Sequence, residues 1–116
     1  MRLDHELVRD LILEIEDRTD GIRCDSFYYY EQQFPDIAAT VVDYHLRYLI
    51  DAGYVRGAKP CAVVDLTPAG HNFAESVRDQ IVWGNTKKAL HPLEGVSLDV
   101  ITEVAKSSAL KLLGLG

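Results

Sequence analysis

The chain has 116 residues, of which 47% are hydrophobic and 26% are charged. This length is that of one ordinary domain, and this composition is that of a folded globular protein rather than a disordered one. Eighteen acidic residues against twelve basic ones give a formal net charge of -6, which argues against strong sequence-independent binding of nucleic acid but leaves room for a local basic patch.

The first predicted element is a helix from Asp4 to about Arg18. Its apolar residues recur at steps of three and four along the chain: Leu7, Val8, Leu11, Ile12 and Ile15. Asp4 precedes this stripe and is suited to cap the helix N-terminus. Most of the acidic residues fall outside the stripe, which predicts a solvated face.

The second predicted element is a strand from Ile22 to Tyr30. A turn signal at Thr19, Asp20 and Gly21 precedes it, and its residues are rich in β-branched and aromatic types. In a strand the four consecutive rings from Phe27 to Tyr30 would alternate between two faces. Some aromatic surface would then lie outside the core, to be covered by a flanking helix or by a partner.

A second helix is predicted to end at Ala52, with Gly53 as its C-terminal cap residue. It begins either at Asp36 or at Thr40, where Thr40 and Asp43 fit a capping box. Helical geometry places one polar stripe on this helix: Asp36, Thr40, Asp43, Arg47 and Asp51. The opposite side, expected to face the core, carries Ala38, Val42, His45, Leu46 and Leu49.

Two short β-prone runs, Tyr54 to Gly57 and Ala62 to Leu66, follow this helix and predict a hairpin. Thr67 then caps a further helix with Pro68 at its first position. Phe73, Val77 and Ile81 would form its apolar stripe, and the pattern predicts that it continues to about Leu90.

A break is predicted at residues 91–95, after which Ser97 opens a final helix extending to about residue 113. Its apolar residues cover more than one face: Leu98, Val100, Ile101, Val104, Ala105, Leu110, Leu112 and Leu113. Such a helix is usually buried between others or against a second copy of the chain. We therefore expect a homodimer formed through this C-terminal extension of a single domain spanning residues 1–116.

The order helix, strand, helix, hairpin is that of a winged helix, in which the hairpin is the wing. We therefore predict an α+β winged-helix-like fold, rich in helix, with a small antiparallel sheet. The segment from Tyr44 to Val55 supports this, because two core leucines, an Ala-Gly cap and a hairpin follow one another. One feature argues against a standard helix-turn-helix: only five residues separate Tyr30 from Asp36, which leaves little room for a separate positioning helix.

Four groups of residues in the chain carry a resemblance to a known protein family. They are Leu3-Asp4 with Leu7-Val8-Arg9-Asp10, Tyr44-His45-Leu46 with Ala52-Gly53, Leu66-Thr67 with Gly70-His71, and Arg78-Asp79 with Trp83 and Lys87-Lys88. In these groups the chain, from about Leu3 to Leu115, resembles an uncharacterised family of short bacterial and phage proteins, domain-of-unknown-function family 2513. The resemblance implies a winged-helix-like fold and a frequent phage or prophage setting, and it assigns no functional residue.

Two binding functions fit the sequence. In the first, a regulatory protein binds double-stranded DNA, with Thr40, Tyr44 and Arg47 facing bases and with Arg56 and Lys59 contacting phosphate. In the second, the winged helix is a protein-interaction module, such as a phage accessory factor whose acidic surface docks on a host protein. The acids on the polar stripe favour the second function, because carboxylates repel a phosphate backbone.

Catalytic and metal-binding patterns are absent from the sequence, so no enzymatic activity, metal or cofactor is expected. Cys24 and Cys61 lack C-x-x-C spacing and are expected to be reduced thiols. We expect a cytoplasmic protein, because the first residues lack a signal-peptide pattern and no apolar run is long enough for a membrane helix.

Overall fold

The computed structural model describes residues 1–93 and 95–116, so that Glu94 of the predicted break lies outside the described residues. The elements of the described residues, in chain order, are α1 (His5–Arg18), β1 (Asp25–Ser26), α2 (Phe27–Gln33), α3 (Ala39–Asp51), β2 (Val55–Ala58), β3 (Ala62–Leu66), α4 (Pro68–Val77), α5 (Gln80–Leu90) and α6 (Leu98–Leu112). The chain divides into two compact units, Met1–His71 and Asn72–Gly116, which are described separately. The α+β prediction is confirmed, and the order of elements is compatible with a winged-helix-like fold; the single-domain expectation stays a prediction.

The first helix of the first unit follows its predicted bounds. The Asp4 carboxylate accepts a hydrogen bond from the backbone N–H of Leu7 at 3.2 Å, which caps α1 as expected. The five residues of the predicted apolar stripe are buried: Leu7, Val8, Leu11, Ile12 and Ile15. The periodicity of the sequence therefore identified the core face of α1.

The predicted strand over Ile22 to Tyr30 is wrong except at two residues. Only Asp25 and Ser26 pair with β3, and the aromatic run that follows is the helix α2. Phe27 and Tyr30, three positions apart, are buried as one side of a helix would be. A seven-residue helix has little stability of its own, so its packing against α3 and the contacts of Tyr29 with α1 override the β propensity of the aromatic residues.

The contacts of Tyr29 indicate how α2 is held. The Tyr29 hydroxyl donates to a carboxylate oxygen of Glu14 at 3.3 Å, and the Arg18 guanidinium lies 4.3 Å from the centre of the Tyr29 ring. Arg18 also pairs with Asp25 at 3.3 Å. Burial and the adjacent Glu14 carboxylate raise the pKa of Tyr29, which remains a neutral donor. These contacts fix α2 against α1.

The helix α3 begins between the two predicted starts, at Ala39. Its N-cap is Ala38, so Asp36 lies in the preceding turn and Thr40 lies within the first helical turn. At the other end Gly53 has a φ of 86°, its N–H donates to Ile50, and the N–H of Tyr54 donates to Leu49. This is a Schellman cap, as the sequence indicated, and it directs the chain from α3 into the hairpin.

The hairpin forms as predicted and is part of a three-stranded antiparallel sheet with the order β1-β3-β2. Asp25 is opposite Val63 on one side of β3, and Val55 is opposite Leu66 on the other. A register shift between Arg56 and Gly57 interrupts the pairing of β2 with β3.

The prediction of one long helix from Pro68 to about Leu90 is wrong. The helix α4 ends at Val77, and α5 begins after Asp79, whose carboxylate accepts from the N–H groups of Ile81 at 2.9 Å and Val82 at 3.0 Å. The new cap changes the helical phase, so Ile81 is 61% exposed instead of continuing an apolar stripe. Val82 and Trp83 are buried in its place.

The last helix, α6, begins as predicted. The Ser97 hydroxyl accepts a hydrogen bond from the N–H of Val100 at 3.3 Å, and α6 packs against α5. Leu98, Ile101 and Ala105 are buried on its inner side. Across residues 1–93 and 95–116, every helix is too short or too polar to cross a membrane.

Candidate nucleic-acid interface

The helices α2 and α3 pack against each other and are joined by the five residues from Phe34 to Ala38, an order compatible with a helix-turn-helix. The expectation that little room is left for a positioning helix before α3 is therefore wrong, because the aromatic run itself forms a helix there. Phe27 and Tyr30 of α2 and Val42 and Leu46 of α3 are buried, which leaves the other side of α3 exposed. This arrangement is compatible with a winged helix, in which the second helix is presented to the target.

Arg47 connects α3 to the hairpin. Its Nη2 donates to the sulfur of Cys61 at 3.0 Å, immediately before β3, and its Cζ lies 5.3 Å from the centre of the Phe27 ring. Both contacts hold the guanidinium on the hairpin side of α3, although the side chain stays exposed. A cation above an aromatic ring is weakly attracted to its face, which supports this position.

Tyr44 lies one helical turn before Arg47 and is 41% exposed. Its ring packs edge-on against the ring of His45, with centroids 5.7 Å apart and planes at 74°. His45 is 1% exposed and is held by the backbone atoms of Asp4 and Val41, each at 2.8 Å. The ring of Tyr44 therefore packs against a side chain that is itself held in place by hydrogen bonds.

Two adjoining grooves lie along this surface. The helix groove is lined by Tyr44, Arg47, Tyr48, Asp51 and Ala52. The wing groove, of about 550 Å³, is lined by Phe27, Arg47, Ile50, Asp51, Gly57, Ala58, Lys59 and Pro60. Arg47 and Asp51 line both grooves and form the ridge between them.

The structure brings together three of the five predicted site residues. Tyr44 and Arg47 share the helix groove, and Arg47 and Lys59 share the wing groove. Thr40 is exposed near the start of α3 but lines neither groove, and Arg56 is exposed on β2 opposite Asp65. The wing cation in the groove is thus Lys59.

The acidic stripe expected on the presented side of α3 is smaller than the sequence suggested. Asp36 is outside the helix, and Asp43 is half-buried, with one carboxylate oxygen inaccessible to solvent. The hydrogen bond between Asp43 and Glu31 of α2 raises the pKa of Glu31. Asp51 remains exposed. The electrostatic objection to a phosphate partner therefore falls mainly on one carboxylate.

Sequence reasoning missed Phe27, Cys61 and Glu31, which shape this surface from outside α3. The sequence predicts a strand at Phe27 and places Glu31 in the short segment after it, so the position of these residues beside α3 could not be inferred. A helical period of three between Phe27 and Tyr30, followed by the helix formers Glu31 and Gln32, was the available signal. The contact of Cys61 with Arg47 has no local signal, since fourteen residues separate them.

Comparison with known proteins gives one finding. No curated protein and no solved structure matches the chain. Residues 2–97 match the model of a family described as "Hypothetical protein (DUF2513)", which covers most of the chain and agrees with the resemblance seen in the sequence. The chain therefore belongs to this domain-of-unknown-function family.

Proposed function

We propose that this protein is a non-enzymatic, winged-helix regulatory protein that binds double-stranded DNA with α3 and the hairpin. The observation that carries the proposal is the placement of Arg47 and Lys59 in one groove directly after a helix-turn-helix. Phosphate contacts supply much of the affinity of such proteins, and Tyr44 beside them offers a surface for base edges. A DNA-binding role implies a cytoplasmic location.

Binding to a pool of fluorescent DNA duplexes with a randomised centre tests this proposal. The double variant Arg47→Glu, Lys59→Glu reverses both groove cations and is expected to abolish the anisotropy change at low salt. The matched control Arg23→Glu, Lys88→Glu makes the same change of net charge with cations that line neither groove. An equal loss of DNA binding in both double variants, or no binding by the wild type, would contradict the proposal.

A second candidate function is docking on a host protein, as a phage or prophage accessory factor would do. The excess of acidic residues and the carboxylate of Asp51 on the groove ridge favour it. A pull-down from bacterial lysate with and without nuclease separates the two candidates. A defined protein retained after nuclease treatment would support the second, and recovery of DNA alone would support the first.

We also propose that the protein acts as a homodimer through α6. Leu112 follows Leu98 and Ala105 at steps of seven, so it lies on the same side of the helix, yet it is 53% exposed. Leu113 beside it is 71% exposed. A second copy of the chain would cover both side chains, and paired copies would bind two half-sites.

A further inference from the structure

We infer that Tyr44 is the base-reading side chain of α3 and that Arg47, together with Lys59, binds a DNA phosphate in the wing groove. The inference rests on the proposed DNA-binding function. It assigns Arg47 a different task from the one expected from sequence, which placed this residue among the base contacts. The difference comes from the direction in which the structure holds each side chain.

Arg47 is directed away from the position that base reading requires. A bidentate contact with guanine needs the guanidinium fork to extend from the helix into the major groove. Here the guanidinium donates to the Cys61 sulfur at 3.0 Å and lies over the Phe27 ring at 5.3 Å, so it is turned towards the hairpin. A guanidinium has five N–H donors, so the contact with sulfur leaves others for an oxyanion.

The wing groove has the charge that a phosphate needs. Arg47 and Lys59 contribute two cations to one groove, against the single carboxylate of Asp51. The remainder of the lining is apolar or backbone, including Phe27 and Pro60, and carries no fixed pattern of donors and acceptors with which to distinguish base pairs. Such a groove recognises charge and position rather than sequence.

Tyr44, unlike Arg47, has the position and the chemistry of a residue that contacts bases. It lies in the first half of α3, where helix-turn-helix proteins contact base edges. Its ring is exposed, and the packing against His45 restricts its motion at low entropic cost. A ring of this kind offers an apolar face to a thymine methyl group and a hydroxyl to a base edge.

The test uses the full chain and the same randomised duplex pool. Bound duplexes are sequenced to obtain the preference, and one enriched and one unrelated duplex are then titrated across salt concentrations. Four variants are compared with the wild type: Tyr44→Ala, Arg47→Gln, Arg47→Lys and the control Arg23→Gln. Thermal unfolding of each variant verifies that these exposed substitutions leave the fold intact.

The expected result separates the two residues. Tyr44→Ala should reduce the ratio of affinities for the enriched and unrelated duplexes about tenfold and leave the salt slope unchanged. Arg47→Gln should weaken both duplexes alike and lower the salt slope by about one, and Arg47→Lys should restore that slope because a phosphate accepts a point charge. The control Arg23→Gln should change neither quantity.

Two outcomes would overturn the inference. If Arg47→Gln and Arg47→Lys both erase the sequence preference, Arg47 reads a base, and the proposed function stands while this assignment falls. If the wild type binds none of the duplexes at low salt, the proposed function and this assignment fall together.

Discussion

The Nε2 atom of His45 accepts a hydrogen bond from the backbone N–H of Asp4 at 2.8 Å, across 41 residues of sequence. Its Nδ1 lies 2.8 Å from the carbonyl oxygen of Val41. A backbone N–H can only donate and a carbonyl oxygen can only accept, so the ring is the neutral tautomer with its proton on Nδ1. His45 thereby joins the capped start of α1 to the middle of α3.

Replacing His45 with alanine is expected to lower the free energy of unfolding by about 2 to 3 kcal/mol, because a buried side chain is lost and the Asp4 N–H loses its acceptor. Chemical denaturation with urea measures this loss. The control is His91→Ala at an exposed site, expected to change stability by less than about 0.5 kcal/mol. Equal effects of the two substitutions would mean that the His45 contacts contribute nothing measurable.

Gly70 and Gly84 form a matched pair of glycines for testing the close approach of α4 to the backbone of Tyr54, the residue just before β2. A Cβ on Gly70 would overlap the carbonyl oxygen of Tyr54, which cannot move without disturbing the N–H of Thr67 that donates to it. A Cβ on Gly84, within α5, would meet no atom within 4 Å. Alanine at position 70 and alanine at position 84 should therefore change the stability of the protein in opposite directions.

Gly70→Ala is expected to destabilise the protein by at least about 1 to 3 kcal/mol through overpacking. Gly84→Ala should stabilise it by about 0.5 to 1 kcal/mol, because alanine has the higher helix propensity. Thermal melts of the two variants beside the wild type measure both effects. A Gly70→Ala variant as stable as the wild type would show that α4 can shift freely.

Several of these elements could be predicted from sequence because their signals are local. Asp4, Gly53 and Ser97 each mark a helix end through a contact with residues one turn away. The aromatic run from Phe27 could not be assigned in this way, because its helix depends on packing against α1 and α3. Asp79 also caps a helix, yet its signal was hidden within a continuous periodic pattern.

The candidate site was predictable only in part, because some of its features depend on contacts between residues that are distant in sequence. A helical wheel places Tyr44 and Arg47 on the exposed side of α3 correctly, since that position depends on helix geometry alone. It also placed Asp43 there, because a wheel does not include the neighbouring α2, whose Glu31 hydrogen-bonds Asp43. The direction of the Arg47 guanidinium depends on Cys61, which only the folded chain brings near.

The Glu31 and Asp43 pair predicts a dependence of stability on pH. The hydrogen bond with Asp43 and the negative charge of its carboxylate raise the pKa of Glu31 above its ordinary 4.5. The folded state thus holds this proton more strongly than the unfolded chain does. The resulting stabilisation is complete below about pH 4.5 and is lost as the pH rises through the raised value.

Glu31→Gln should remove the loss of stability at higher pH, because an amide remains neutral and can still donate a hydrogen bond to Asp43. The difference in melting temperature between Glu31→Gln and the wild type is therefore expected to grow from about pH 4 to pH 7 in favour of the variant. Asp17→Asn, at an exposed position of α1, makes the same change of charge and should show a difference that varies less with pH. A difference for Glu31→Gln that stays constant over this range would contradict the pairing.

The exposed leucines at the end of α6 predict self-association. Leu112 and Leu113 continue the apolar side of a helix whose earlier residues, Leu98, Ile101 and Ala105, are buried. Deleting the helix would be a poor test, because it would remove this buried side and unfold the second unit. The double variant Leu112→Gln, Leu113→Gln leaves the buried residues in place and removes only the uncovered ones.

Light scattering at high micromolar concentration is expected to give the mass of two copies for the wild type and of one copy for this double variant. Dimerisation would bury the apolar surface of both leucines, and the glutamine side chains would not gain from that burial. Lys106→Gln with Lys111→Gln is the control, since both lysines are exposed on the same helix and carry no large apolar surface to bury. It should remain dimeric. A wild type that is monomeric at that concentration, or a control that dissociates as readily as the leucine variant, would contradict a dimer held by these two side chains.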